Sequence, residues 1–128
     1  MVRGLRRSKR DRGAAAAEFA VVLPVLLLLV FGIIDFARMA SDRIALTAAA
    51  HAAAQALATP TGNPGIAATA ALSGASVTAS HRCGTTPTTN EMATATVSFN
   101  FTFATPIAAL ANLRGTPMQA TGAVPCRG

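Results

Sequence analysis

Tryptophan and tyrosine are absent from this 128-residue chain, phenylalanine occurs six times, and only five residues are acidic and two are histidine. A catalytic cleft needs a substantial folded body around it, and small domains are already marginal in the core they can bury. So few acids leave no credible pair of carboxylates for general acid and base work. His81 stands one residue from a second candidate metal ligand, Cys83, but the two further ligands that a structural metal site needs are missing at suitable spacing. His51 lies in alanine-rich sequence and reads as a solvated or packing residue. There is no Gly-x-Ser-x-Gly, no P-loop and no Gly-x-Gly-x-x-Gly. The sequence therefore offers no enzyme site, cofactor, metal or small-molecule substrate, and no internal repeat of solenoid type.

Charge is unevenly placed. Of a formal net charge of +6, Arg3, Arg6, Arg7, Lys9, Arg10 and Arg12 all fall before residue 13, against the single acid Asp11. The rest of the chain is nearly neutral, with Arg38, Arg43, Arg82, Arg114 and Arg127 set against Glu18, Asp35, Asp42 and Glu91. Nucleic-acid binding calls for basic residues spread over a folded face, which this pattern does not supply. A basic block directly before an apolar run is instead a topology signal that keeps that end in the cytoplasm. The pair Arg6-Arg7 lacks the remainder of a twin-arginine export signal.

What is abundant is apolar sequence in one place. Phe19 to Ile34 carries no charge, and extending back through Ala14 gives a stretch interrupted only by Glu18. About 20 helical residues cross the ~30 Å hydrocarbon core, so residues 14–35 are expected to span a membrane. Pro24 removes a backbone donor and crowds the carbonyl of Ala20, which predicts a loosened turn, either as an ordinary kink or with a part in assembly. No glycine or proline follows between Gly32 and Pro60, and alanine, the best helix former, dominates. One helix from about Ala14 to about Ala58 is predicted, its outer half covering 36–59. Asp35, Arg38 and Asp42 put opposite charges on one face of it.

Thr59 to Gly65 holds two prolines and two glycines and reads as a linker into a small β-rich domain, 60–128. From Ala93 to Phe103 apolar and polar residues alternate strictly, which places Phe99, Phe101 and Phe103 on one face of a strand. Ala75–Ser80 and Met118–Val124 are weaker strand candidates, and Ile107–Leu113 reads as a short helix after Pro106. The expected architecture is α+β: a long N-terminal transmembrane helix continuing outside the membrane and packed on a small antiparallel sheet.

The informative motif lies where the basic block meets the apolar run: Arg12-Gly13-Ala14-Ala15-Ala16-Ala17-Glu18-Phe19-Ala20. A protease at the membrane surface needs a small, extended residue before the scissile bond, and Gly13 provides one. Glu18 is an ionisable residue in a membrane segment, a functional candidate by default. Cleavage after Gly13 would place a new amine on Ala14 with Glu18 four residues on. In low dielectric such charges are stable only when paired, so Glu18 would align neighbouring subunits. The plainer alternative is that Glu18 lies about one turn inside the membrane and snorkels to the headgroups.

Gly13-Ala-Ala-Ala-Ala-Glu18-Phe19 resembles the processing site of type IVb prepilins, and the stretch from Gly13 to Arg38 resembles the N-terminal region of the TadE-like family. The Glu-Phe pair, the proline six residues after the Glu, and the Gly-Ile-Ile-Asp-Phe end of the run carry the likeness. It implies a pilin-like fold, Gly13 before the cut, Ala14 as mature N-terminus and possible methylation site, and Glu18 as the residue required for processing or assembly. It further implies residues 1–13 as a leader, an integral-membrane aspartic prepilin peptidase, and partners among pilin subunits and the tight-adherence (Flp) secretion machinery. Phe19 replaces the Tyr usual in major Flp pilins, and the chain is long for a major subunit, which favours a minor pilin or pseudopilin.

Cys83 and Cys126 are the only cysteines. The expected topology puts both on the extracytoplasmic side, where disulfides persist; the sequence leaves open one intramolecular bridge, free thiols or an intermolecular bond. Two other whole-chain readings stand beside the pilin one. One is an exported protein with an ordinary cleaved signal peptide, against which Asp35 and Arg38 sit where small residues are wanted. The other is a membrane-anchored adhesion module that never polymerises.

Overall fold

The computed structural model describes residues 8–86, 90–106 and 115–126, with side chains from Gly13 onward. Helix α1 runs unbroken over Ser8–Leu57 and through Pro24. At ~1.5 Å per residue its 50 residues measure about 75 Å. It starts six residues earlier than the alanine run suggested, because arginine and lysine are themselves good helix formers. The side chains of Lys9, Arg10 and Arg12, all of residues 1–7, and the predicted short helix at 107–113 lie outside the described residues.

The two halves of α1 differ in what surrounds them. Apolar residues from Phe19 to Ile34 are largely exposed, with Val21 at 73% and Ile33 at 60%. From Leu46 onward one face is buried: Leu46, Ala49, Ala50, Ala53, Ala54 and Leu57 recur at three- and four-residue intervals, the spacing of a single helical stripe. Against that stripe lies a three-stranded antiparallel sheet in the order β1-β2-β3, formed by β1 (Ser76–His81), β2 (Met92–Phe101) and β3 (Thr116–Pro125). Its inward residues Ala93, Ala95, Val97 and Phe101 are buried, with Phe99 partly so. The alternation therefore reads as predicted along β2. The strand ends at Phe101, however, and Phe103 follows in the next turn, edge-on to Phe101 with ring centroids 5.2 Å apart.

Alanine on both sides of this interface lets backbones approach closely. A β-carbon at Gly122 would lie 2.3 Å from the carbonyl oxygen of Ala50, so strand and helix touch main chain to main chain there. The outward face of the sheet is polar, as expected of an antiparallel sheet with one face in water. Across it Thr96 and Thr121 share a hydroxyl bond of 3.0 Å, as do Ser76 and Ser98. Strand β3 stays in register with β2 over ten residue pairs, whereas β1 carries a bulge at Thr78, whose hydroxyl bonds the Thr96 carbonyl.

The predicted linker leads directly into a further element. Helix α2, Pro64–Ala71, packs on α1 and buries Ala68. Its N-cap is Asn63, whose side-chain oxygen accepts from the amides of Gly65 and Ile66 at 3.0 and 3.2 Å. Pro64 occupies the first helical turn, where a missing amide costs nothing. Gly74, at φ +84°, then turns the chain into β1.

Candidate functional site

Three places on this scaffold hold the residues that chemistry or assembly could use. The first is the N-terminal end of α1. Gly13, Ala14, Glu18, Phe19 and Pro24 all lie on it and all are exposed, Phe19 at 62%. A β-carbon at Gly13 would meet nothing within 4 Å. Ala14 and Glu18 are four residues apart on one helix and so occupy one face. Gly13 is helical here, whereas the sequence called for an extended residue. Glycine is the weakest helix former short of proline, about 1 kcal/mol below alanine, so the segment unwinds most readily at this point.

The second place is Asp35, directly after the apolar run. The charge pattern suggested a partner in Arg38. Among the described residues no such ion pair forms, and Asp35 turns toward the sheet domain at 9% exposure. One carboxylate oxygen accepts the amide of Ala104 at 3.4 Å, and the other accepts the hydroxyl of Thr105. A buried carboxylate needs such donors because leaving it unsatisfied costs several kcal/mol. Sequence separation hid this contact, since its partners lie about seventy residues away.

The third place is the far end of α1, where the chain returns after β1. Arg82 sends its guanidinium to the carbonyls of Thr59 at 2.6 Å, Pro60 at 3.4 Å and Gly62 at 2.7 Å. The amide of Cys83 donates to Leu57, the last residue of α1, at 3.3 Å. Together they satisfy carbonyls left open at and beyond the helix end and set a positive charge against the negative pole of its dipole. Cys83 is bonded to Cys126, closing a separation of 43 residues within the chain. The amide of Cys126 donates to the carbonyl of Glu91, and the Glu91 carboxylate accepts from Gly84 at 3.1 Å and lies 3.6 Å from His81. His81 thus sits against a carboxylate beside a disulfide. Among the described residues no three histidine, cysteine or acidic side chains gather closely enough to hold a metal.

A cavity of about 420 Å³ lies near this end, lined by Gln55, Ala58, Thr59, Val124 and Pro125. None of these is an acid, a base or an activated nucleophile, and the Thr59 hydroxyl donates to the Ala56 carbonyl.

A long helix, bare and apolar in one half and carrying a small α+β head on the other, is a pilin-like arrangement whose bare half fits a membrane anchor. The apolar half has a mean hydropathy of 2.8 over its most apolar window, enough to cross a membrane by length and composition. Residues 13–55 match the family model described as TadE-like protein. Over these residues, about a third of its length, the chain is similar to the TadE-like family, a pilin-like structural family of tight-adherence pili. The matched segment covers the apolar half of α1 and nearly all of the face that packs on the head. No curated protein and no solved structure matches the chain.

Proposed function

We propose that this chain is a prepilin-like subunit, a minor pilin or pseudopilin, of a tight-adherence type IVb pilus, with a structural and not an enzymatic role. The observation that carries the proposal is the register at the start of α1: Gly13, Ala14, Glu18 and Phe19 open a bare apolar run within the TadE-like match. In this reading the basic leader holds the N-terminus in the cytoplasm, the run spans the inner membrane once, and the head lies on the extracytoplasmic side. A prepilin peptidase hydrolyses the Gly13–Ala14 bond, water supplying the hydroxyl for the Gly13 carboxylate and a proton for the Ala14 amine. The new ammonium and the Glu18 carboxylate of adjacent subunits then pair in low dielectric, and a misaligned neighbour leaves a charge unmatched.

Pro24 frees the Ala20 carbonyl and loosens one turn of the packing helix, while Ala14–Ala17, Gly32, Ala37 and Ala40 allow helices to approach. The assembled subunit supports pilus biogenesis and adhesion at the cell surface.

Glu18→Ala tests the role of the carboxylate. The variant is expected to accumulate in the membrane and to be missing from sheared fibres. Normal processing together with normal recovery in fibres would remove Glu18 from the account, whereas absence of the wild-type chain from fibres would favour an anchor that does not polymerise.

A further inference from the structure

The position of Asp35 fixes more than one hydrogen bond. The uncharged run from 14 to 34, Glu18 apart, is 21 residues or about 31 Å of helix, which matches the ~30 Å hydrocarbon core. Asp35 is the next residue, so its carboxylate falls at the hydrocarbon boundary, within the headgroup layer that adds about 5–7 Å on each side. A carboxylate there can snorkel to water along its own helix. It is instead buried and bonded to Ala104 and Thr105, which places the turn after β2 at the same height. That turn, Thr102-Phe103-Ala104-Thr105-Pro106, is uncharged. Phe103 is half-buried against Phe101, and Phe36, beside Asp35 on the helix, is 68% exposed. Met39, one turn above Asp35, is half-buried.

We propose that Asp35 clips the turn after β2 to the membrane end of α1, so that the head is seated in the lipid headgroup layer through Phe103 and Phe36. The alternative geometry is a head standing clear of the bilayer on a free stalk. Phenylalanine at this depth can bury its apolar ring at the boundary between headgroups and acyl chains, as on the apolar face of interfacial segments. The proposal rests on the reading of residues 14–34 as a membrane span, and on neither processing nor assembly.

The absence of tryptophan and tyrosine makes a single introduced tryptophan a clean reporter. The full chain would be placed in vesicles of phosphatidylethanolamine and phosphatidylglycerol, with acyl chains plain, brominated near the glycerol or brominated near their ends. Leu26→Trp reports the span, Phe103→Trp and Phe36→Trp the seat, and Gln119→Trp the exposed outer face of the sheet. Bromine near the chain ends is expected to quench Leu26→Trp, bromine near the glycerol to quench Phe103→Trp and Phe36→Trp, and neither to quench Gln119→Trp, which stays bright and red-shifted. Adding Asp35→Ala should abolish quenching at Phe103→Trp while Leu26→Trp and Phe36→Trp keep theirs. Unchanged protease resistance of the head would show that it remains folded.

If Leu26→Trp is quenched and Phe103→Trp is not, the seating is wrong and the span stands. If Leu26→Trp is not quenched, the span itself fails and the seating with it. Quenching at Phe103→Trp that survives Asp35→Ala overturns the role given to the carboxylate.

Discussion

At Gly122 the polypeptide has no room for a side chain. The nearest atoms to a β-carbon there are the Ala50 carbonyl oxygen and carbon and the His51 amide nitrogen, at 2.3, 2.5 and 2.7 Å. These are backbone atoms in mid-helix and cannot swing aside. Gly122→Ala is therefore expected to lower stability by about 1–3 kcal/mol, the usual range for overpacking, read as a lower melting temperature of the detergent-solubilised chain. An unchanged melting temperature would mean that helix and strand can separate at this point without loss. Nothing in the sequence marks Gly122 as different from its neighbours, because its role comes from a helix more than seventy positions earlier. The same holds for Asp35. Its family-like setting was legible in the run Gly32-Ile-Ile-Asp-Phe, but its hydrogen bonds depend on how far the head reaches down α1. The residues of the N-terminal junction are the reverse case. Their pattern is local and legible in the sequence, while the role proposed for them concerns partners beyond the chain.

Among elements, α1 and β2 were legible because each repeats one period over many residues. The alanine-rich run has nothing to stop it before Pro60, and the alternation from Ala93 onward admits one strand face. The elements that escaped are short. Helix α2 begins at the end of what reads as a proline- and glycine-rich linker, although Asn63-Pro64 is a recognisable N-cap and first-turn pair. The end of α1 was placed correctly by Pro60, but not what completes it. Arg82, exposed and more than twenty residues away, caps that end with three carbonyl contacts. Arg82→Ala should destabilise the head by about 1–2 kcal/mol, as expected when a charged donor leaves several carbonyls unmet in a partly wet setting. Hydrogen exchange is expected to accelerate at Ala54 to Leu57 and in α2. Unchanged exchange there would show that solvent replaces the guanidinium without cost.

On the scale of the whole molecule, the head is thin. Its core is mostly alanine, with Leu46 and Val97 as the largest fully buried side chains. Such a body gains little from hydrophobic burial and needs a covalent staple. The Cys83–Cys126 bridge ties the loop after β1 to the end of β3, beside the cap on α1. Cys83→Ser is expected to cost about 4 kcal/mol by the loop-entropy relation for a separation of 43 residues. Non-reducing gels should show the oxidised wild type as the faster band and the variant at the position of the reduced chain. A dimer band in the wild type, lost in Cys83→Ser, would point to pairing between chains.

The helix that carries this head has two separate duties. Its outer half completes the fold, and its inner half is left bare for lipid or for other helices. The central claim is that the bare half stays attached to the head after the leader is removed. N-terminal sequencing of the protein extracted from membranes of cells that have the peptidase tests this directly. The account predicts a chain beginning at Ala14. A chain beginning near Ala40 or Ser41, or one still beginning at Met1 in those cells, would contradict it.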